Sequence, residues 1–412
     1  MQLALLIIIF IGIITASINF WRFSCNFLNS GGTGIRLDLH AQRNRIVNCE
    51  FAHLGEAGIL LDGYTPDTKD ANHHNDIINN HIHHFSEISW SSPGLWAWQS
   101  GYNHFAHNYI HHSGYSAVLI STRAGRRLNE DGTTVLRSEI YAAAPIDRRR
   151  GNNTGPDRRR REGRNGNNNT QTAYERWLSG EKYSHSRHNL FEYNEITHSV
   201  QLLSDGNGIY VSGAGTGNIV RYNYLHDNLQ HSLPAAIRCD DGQHETHIYG
   251  NVLYNNYGFS AGIASKGTNH IYNNFIVGPL VKPSWGYVSL EWAPVTDSKI
   301  HHNIIISHPD GGKAYAERPR RPGQPALSNL LETKMDSNLY YHPANPDWMV
   351  EHFQRMRAAG MEEASLFGDP LFTDPRGGDF SFKEGSPALN LGIEPLDVSE
   401  MGMVDPGSFK LK

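Results

Sequence analysis

One phrase recurs along this chain and limits what it can fold into: an apolar residue, two others, an asparagine, one other, and a second apolar residue. It stands at Ile77/Asn80/Ile82, Phe105/Asn108/Ile110, Phe191/Asn194/Ile196, Val220/Asn223/Leu225, Ile248/Asn251/Leu253, Ile271/Asn274/Ile276 and Ile300/Asn303/Ile305. The asparagine steps by 23 to 31 residues between adjacent repeats, and Cys49 and Cys25 hold the same slot in two earlier ones. One interval, Asn108 to Asn194, is far longer. A fixed period of this size means small units stacked on one continuous core, so dividing the length by a typical domain size misleads.

A second phrase alternates with the first: a small residue followed by alternating apolar positions. It runs Gly34-Ile35-Arg36-Leu37-Asp38, Gly58-Ile59-Leu60-Leu61-Asp62, Gly94-Leu95-Trp96-Ala97-Trp98 and Ala117-Val118-Leu119-Ile120-Ser121. Beyond the long interval it returns as Gly208-Ile209-Tyr210-Val211-Ser212, Ala236-Ile237-Arg238-Cys239-Asp240, Gly262-Ile263-Ala264-Ser265-Lys266 and Tyr287-Val288-Ser289-Leu290-Glu291. Period-two spacing means strands with one buried face, and turns rich in Gly and Asn leave no room for helices. Each repeat therefore reads as one turn of a coil, with equivalent residues of successive turns roughly 4.8 Å apart. Asparagine in such a column tolerates left-handed backbone angles and hydrogen-bonds its neighbours above and below.

The repeats resemble the right-handed parallel β-helices of the pectate-lyase superfamily, mostly carbohydrate-active enzymes, over about residues 18 to 307. The resemblance implies an all-β, single-stranded right-handed parallel β-helix. Composition agrees with a packed, acidic protein: 39% hydrophobic and 19% charged residues with a formal net charge of -5, which argues against a globally basic nucleic-acid binder. The three cysteines make neither a disulfide framework nor a C-x-x-C pair, and free thiols are expected even at Cys25 and Cys49.

Three regions depart from the coil. Residues 1–17 hold an uncharged apolar run from Leu3 to Ile14, which reads either as a signal-like segment or as a truncated first strand. It is too short to span a bilayer comfortably, and no later segment suits a membrane. Residues 123–186 form an insertion with Arg148 to Arg150, Arg158 to Arg161 and Asn167 to Asn169, expected as a solvated polar loop. Residues 308–412 read as a mixed C-terminal cap over the open end of the coil, with a Pro- and Arg-rich run (Arg318 to Pro325) and a helix near Pro346 to Ala359. Ser386-Pro387-Ala388-Leu389 resembles closing segments of secreted bacterial β-helix proteins.

The fifth position of the second phrase points outward and reads Asp38, Asp62, Trp98, Ser121, Ser212, Asp240, Lys266, Glu291 down the coil. A carboxylate, an ammonium and another carboxylate fall in three consecutive turns. Tyr210 and Arg238 fill the third position of adjacent turns, with Asp205 and Asp241 in the flanking turns. Glycoside hydrolysis needs two carboxyl groups about 5 to 9.5 Å apart, and stacked turns supply such spacings. Asp240 and Glu291, two turns apart, are separated by roughly 9.6 Å at the backbone.

Leu203-Ser204-Asp205-Gly206-Asn207-Gly208-Ile209-Tyr210 and Cys239-Asp240-Asp241-Gly242, followed by Gly250-Asn251-Val252, resemble the paired Asp motifs of family 141-type β-helix glycoside hydrolases. Those enzymes act on plant cell-wall glycans with two aspartates as acid and base. The resemblance nominates Asp205 and Asp240 as catalytic, with Asp241 as rival for the second role. Arg238 stands where an aromatic residue is expected. Tyr210, His226, Arg238, Lys266, Glu291 and Trp98 are candidate substrate contacts, and Trp96, Trp285 and Trp292 offer further sugar-stacking faces. The histidines after the Asn phrase fall in columns, His83/His111/His226 and His84/His112/His198; a column gives a row of rings, so stacking rather than a metal is expected.

The expectation is a secreted or periplasmic monomer that hydrolyses a polysaccharide or oligosaccharide and needs no cofactor. One alternative is a polysaccharide lyase, with Lys266 or Arg238 as base and calcium or another cation on the uronate. The other is a non-catalytic glycan-binding or adhesion solenoid.

Overall fold

The computed structural model describes residues 12–14, 25–66, 68–122, 127–128, 134–135, 173–228, 235–278, 282–291, 295–317 and 329–406. These residues form a right-handed parallel β-helix of three long sheets, with ten, nine and eleven strands. One turn visits all three: Ile59–Asp62 in the first sheet, Asp76–Ile78 in the second and His81–Phe85 in the third, before Leu95–Trp98 rejoins the first. Where the sequence shows two phrases per turn, the chain makes three strands. The asparagine phrase contains a corner, with its first apolar residue in the second sheet and its last in the third.

The corner is built by the residue before the asparagine, not by the asparagine. Asn79, His107, Tyr193, Tyr222, Asn273 and His302 all have φ between 49° and 56°, whereas the asparagines that follow them do not enter the left-handed region. At one corner the position belongs to Gly250, φ 63°, where an added Cβ would lie 2.5 Å from the Tyr222 ring. Turning one residue early leaves the next side chain aimed inward, where its amide meets those of the neighbouring turns.

The asparagines form a buried ladder: Nδ2 of Asn80 donates to Oδ1 of Asn108 (2.9 Å), Asn108 to Asn194 (2.9 Å), Asn194 to Asn223 (2.9 Å), Asn223 to Asn251 (2.9 Å), Asn251 to Asn274 (2.9 Å), and Asn274 to Asn303 (3.0 Å). Each Oδ1 also accepts the backbone N–H of the previous rung, as in Cys49 N–H to Asn80 (3.0 Å). The step from Asn108 to Asn194 shows that the insertion does not break the register of the ladder. A second ladder, Asn44, Asn75, Asn103, Asn189 and Asn218, lines the corner between the first and second sheets. Each of its asparagines stands two residues before an apolar residue of the second sheet (Ile46, Ile77, Phe105, Phe191, Val220), so the same period carries it in the sequence.

The coil does not stop at Ser307. Tyr315–Glu317, Lys334–Asp336 and Leu339–Tyr341 add a further turn, with Asn303 donating to Asn338 (3.1 Å). The long interval in sequence between Glu317 and Lys334 hides the period. The helix expected near Pro346 is Val350–Arg357; Met349 and Met356 pack with Leu330, Met335 and Tyr340 at the end of the core. The last stretch is not an end cover. Phe372, Phe380, Ala388, Ile393, Leu396 and Met401 lie on the outward apolar residues Val252, Phe275, Ile304 and Leu339 of the third sheet. It then runs back along the coil, where Val404 N–H donates to Asn79 Oδ1 (2.8 Å). Ser386 Oγ donates to Pro370 O (2.6 Å) and caps the short helix Pro387–Asn390.

At the other end Gly12–Ile14 pairs in parallel with Ile35–Leu37; the rest of residues 1–17 lies outside the described residues, as do the arginine and asparagine runs of the insertion, Arg318 to Pro325, and Trp292. The described end of the insertion is a helix, Ala173–Gly180, whose buried Trp177 meets the His244 ring at 5.2 Å. The three cysteines are free thiols, and burial pushes Cys49 up to about 11.

Replacing Asn223 by Ala removes one rung and leaves Asn194 N–H, Asn194 Nδ2 and Asn251 Oδ1 without that partner. The expected loss is about 2–4 kcal/mol, measured as a lowered urea midpoint, whereas Asn26→Ala on the solvent side is expected to change it by less than about 0.5 kcal/mol.

Candidate active site on the first sheet

Four consecutive strands of the first sheet, Ile209–Ser212, Ala235–Asp240, Ser260–Ser265 and Gly286–Leu290, carry the acidic and basic side chains noted above. Their register sets Tyr210 beside Arg238, then Ala264, then Ser289, and Ser212 beside Asp240. Lys266 and Glu291 extend the next two strands, each donating its N–H to the turn before: Lys266 to Cys239 O and Glu291 to Ser265 O, both 2.9 Å. The pairing is interrupted between Ser260 and Ile263 by a β-bulge, a device that re-aims side chains. An added Cβ at Gly262 would approach Tyr287 O and the Ile276 side chain to 2.8 Å, so the close packing there requires glycine.

Arg238 organises the cluster. Its Nη1 lies 3.3 Å from Asp205 Oδ1, and its Nη2 lies 3.1 Å from both Asp240 Oδ2 and Glu291 Oε2. Ala264 and Ser289 follow Arg238 in its own column, and their small side chains leave room for the guanidinium to reach Glu291 two turns on. Lys266 Nζ bonds Asp240 Oδ1 and lies 3.4 Å from Glu291 Oε2. Tyr210 OH donates to Asp240 Oδ2 at 2.9 Å, and Ser212 Oγ donates to Asp241 Oδ2 at 2.7 Å.

Burial separates these groups by role. The side chains of Arg238, Asp240 and Glu291 are 7%, 9% and 1% exposed, while that of Asp205 is 76% exposed. Charges this deep persist only when paired, and the two cations with Asp240 and Glu291 form a neutral set. Asp205 and Asp241 lie at its rim. Burial pushes Asp240 up, but the Arg238 guanidinium and then the Lys266 ammonium outweigh it and hold the carboxyl well below the usual range. Burial lowers Arg238, and Asp240 and Glu291 more than restore it, so its value stands above the ordinary one. Burial beside the Asp240 carboxylate raises Tyr210. Among the described residues, Arg238 Nε and Glu291 Oε1 are buried without a hydrogen-bond partner.

The structure thus gathers Asp205, Tyr210, Arg238, Asp240, Lys266 and Glu291 into one cluster, with Asp241 adjoining. Two other candidates lie elsewhere. His226 is on the third sheet, its ring between Glu195 (3.1 Å) and Asp227 (2.8 Å). Between Asp205 and His226 the chain passes through the first and second sheets and turns two corners, so closeness in sequence does not place His226 on the first sheet. Trp98 is in the right column but three turns from Asp240, and at 2% exposure it offers no ring face. Trp285 stacks on Phe259 at 4.4 Å. Trp96 is half-buried in the Tyr210 column, two turns away, its Nε1 without a partner among the described residues. Tyr115 was missed: its OH donates to Asp205 O at 3.2 Å. It sits in a corner loop, whose variable length hides the alignment that strands make visible.

A family model for the right-handed beta helix region matches residues 22–145. No curated protein matches the chain. Among solved structures, a chain titled "Glycoside hydrolase" aligns over 82% of this chain and 38% of its own length, at 12% identity and a TM-score of 0.29. This chain therefore spans well under half of that protein.

Because the folded-state value of Asp240 is depressed, its ion pairs stabilise the protein above the ordinary carboxyl value of 3.8 and lose that contribution as pH falls through the folded value. Lys266→Met removes one of the two cations. The urea midpoint of this variant is expected to fall furthest below wild type above about pH 5, with the gap narrowing steadily toward pH 2; a gap independent of pH would contradict the pairing.

Proposed function

We propose that this cluster is a glycan-hydrolysing site and that the chain is a polysaccharide- or oligosaccharide-acting glycoside hydrolase, working outside the cytoplasm. The observation that carries the reading is the pair of unlike carboxyl groups on one guanidinium. Asp240 is buried and ionised between Arg238 and Lys266; Asp205 is exposed on the other side of Arg238.

Hydrolysis of a glycosidic bond requires one carboxyl to give a proton to the leaving oxygen and a second, ionised, to act on the other side of the sugar as base or nucleophile. An ionised Asp240 suits the second role and is a poor proton donor. Asp205, open to solvent, is the group a leaving oxygen can reach. Tyr210 fixes Asp240 through its hydroxyl, and Ser212 engages the rival Asp241. Proton abstraction by Arg238 is disfavoured because its carboxylate partners keep it charged.

Reducing-end release from a panel of plant and bacterial glycans tests this. Asp205→Asn and Asp240→Asn are each expected to lower kcat/KM by at least about 100-fold with unchanged circular dichroism, and Asp241→Asn by much less. Full activity in both of the first two variants would remove the assignment. Products absorbing as unsaturated uronates would point instead to elimination, and glycan binding without bond cleavage to a non-catalytic surface.

A further inference from the structure

The outer face of the third sheet holds a second concentration of reactive side chains, unrelated to the acidic cluster. Residues two apart on a strand share a face, so His81 and His83 of the strand His81–Phe85 both point outward. Register places Glu50 beside His81, and sets Ala52 and His111 on either side of His83. In the sequence these histidines form columns, and one column supplies only a row. In the folded chain two columns from three successive turns converge. His81 Nε2 lies 2.8 Å from His111 Nε2, on the diagonal, and His83 Nε2 lies 3.4 Å from Glu50 Oε1. The rings of His81 and His83 are centred 4.2 Å apart, those of His81 and His111 5.0 Å, and those of His83 and His111 4.9 Å with planes 9° apart. With one ligand atom from each residue, Glu50, His81 and His83 lie within 4.8 Å of one another, as do His83, His84 and His111.

We propose that His81, His83 and His111, with Glu50, form a binding site for one divalent transition-metal ion on the third sheet. Three imidazoles and a carboxylate suit a borderline ion such as zinc, cobalt or nickel. Glu50, His81 and His83 already converge; His111, whose ring lies parallel to that of His83, joins them by rotating about its side-chain bonds. His81 and His111 share one hydrogen-bonded proton; two nitrogens at about 2.0–2.1 Å from a tetrahedral ion lie roughly 3.3–3.4 Å apart, so the pair opens by about half an ångström. The proton shared by the two Nε2 atoms moves, by way of solvent, to Nδ1 of the ring that carried it, so that both rings ligate as neutral imidazoles. The carboxyl side is open, Glu50 being 38% exposed and His83 13%. Ala52 leaves space beside His83.

The ligands come from three turns, so the ion staples the N-terminal part of the coil and stabilises it by mass action. It lies on a different sheet from Asp240 and takes no part in the proposed hydrolysis. A smaller group, Glu245, His247 and His270 on the second sheet, also has ligand atoms within 4.8 Å. It has no further imidazole within the group and serves as the internal control.

The test uses the full chain, free of any polyhistidine tag, stripped with EDTA, dialysed, and titrated with Zn²⁺ by calorimetry and Co²⁺ by visible absorption. Expected are one ion per chain, a higher Tm with Zn²⁺ than without, and the absorption of a tetrahedral Co²⁺ site. His83→Gln and His111→Gln are each expected to weaken binding by at least about tenfold and to abolish the Tm gain, with unchanged circular dichroism. His270→Gln is expected to leave both unchanged. The proposal is overturned if the wild type shows neither binding nor a Tm shift, if binding survives in the His83→Gln/His111→Gln double variant, or if it is lost only in His270→Gln.

Discussion

Register between neighbouring turns is the constraint on which the rest of this molecule depends, and the buried asparagine ladders enforce it. Each rung donates its amide to the next and accepts both the amide and the backbone N–H of the one before. A slip by one residue would strand these groups in the core, each at a cost of about 1–3 kcal/mol, and would also turn every apolar side chain of the strand outward. Apolar columns alone tolerate sliding, because Ile, Val and Leu are nearly interchangeable in contact. A hydrogen-bonded column does not. That is how residues 108 and 194 can be adjacent rungs although they are 86 positions apart in sequence.

The acidic cluster is a consequence of this precision. Asp205, Arg238, Asp240, Lys266 and Glu291 span 87 positions, yet every contact among them follows from one strand spacing per turn. A guanidinium buried to this extent would be costly on an ordinary surface. Here the small residues Ala264 and Ser289 leave space along the column, and carboxylates from its own strand (Asp240) and from two turns on (Glu291) close around it. The arrangement holds one carboxyl group buried as an anion and another exposed at the rim, so a single cation gives two chemically alike residues different environments.

The C-terminal stretch shows the same economy. The third sheet presents apolar residues on its outer face at Val252, Phe275, Ile304 and Leu339, which a bare coil would leave in water. The stretch from Phe372 to Met401 covers them, while the turn-end helix closes the core. End and flank are thus covered by different segments, and Val404 ties the strap to the corner at Asn79, more than three hundred residues earlier.

Much of the fold was legible because its two signals are local: alternation marks strands, and a repeating asparagine marks turns. The continuation to Asn338 was hidden by the long interval between Glu317 and Lys334, whereas the second ladder, always two residues before an apolar position, was within reach of the same count. For the site, column positions could be read from the repeat, which brought out Tyr210, Arg238, Asp240, Lys266 and Glu291. Sequence could not show that Trp98 is buried, that His226 faces away on the third sheet, that Tyr115 meets Asp205, or that His81, His83 and His111 converge. What the sequence by itself determined is the period, and hence which residues stack. What only the tertiary structure decided is which columns lie side by side, which side chains are covered, and how far each reaches across turns, because those depend on corner geometry and on neighbours distant along the chain.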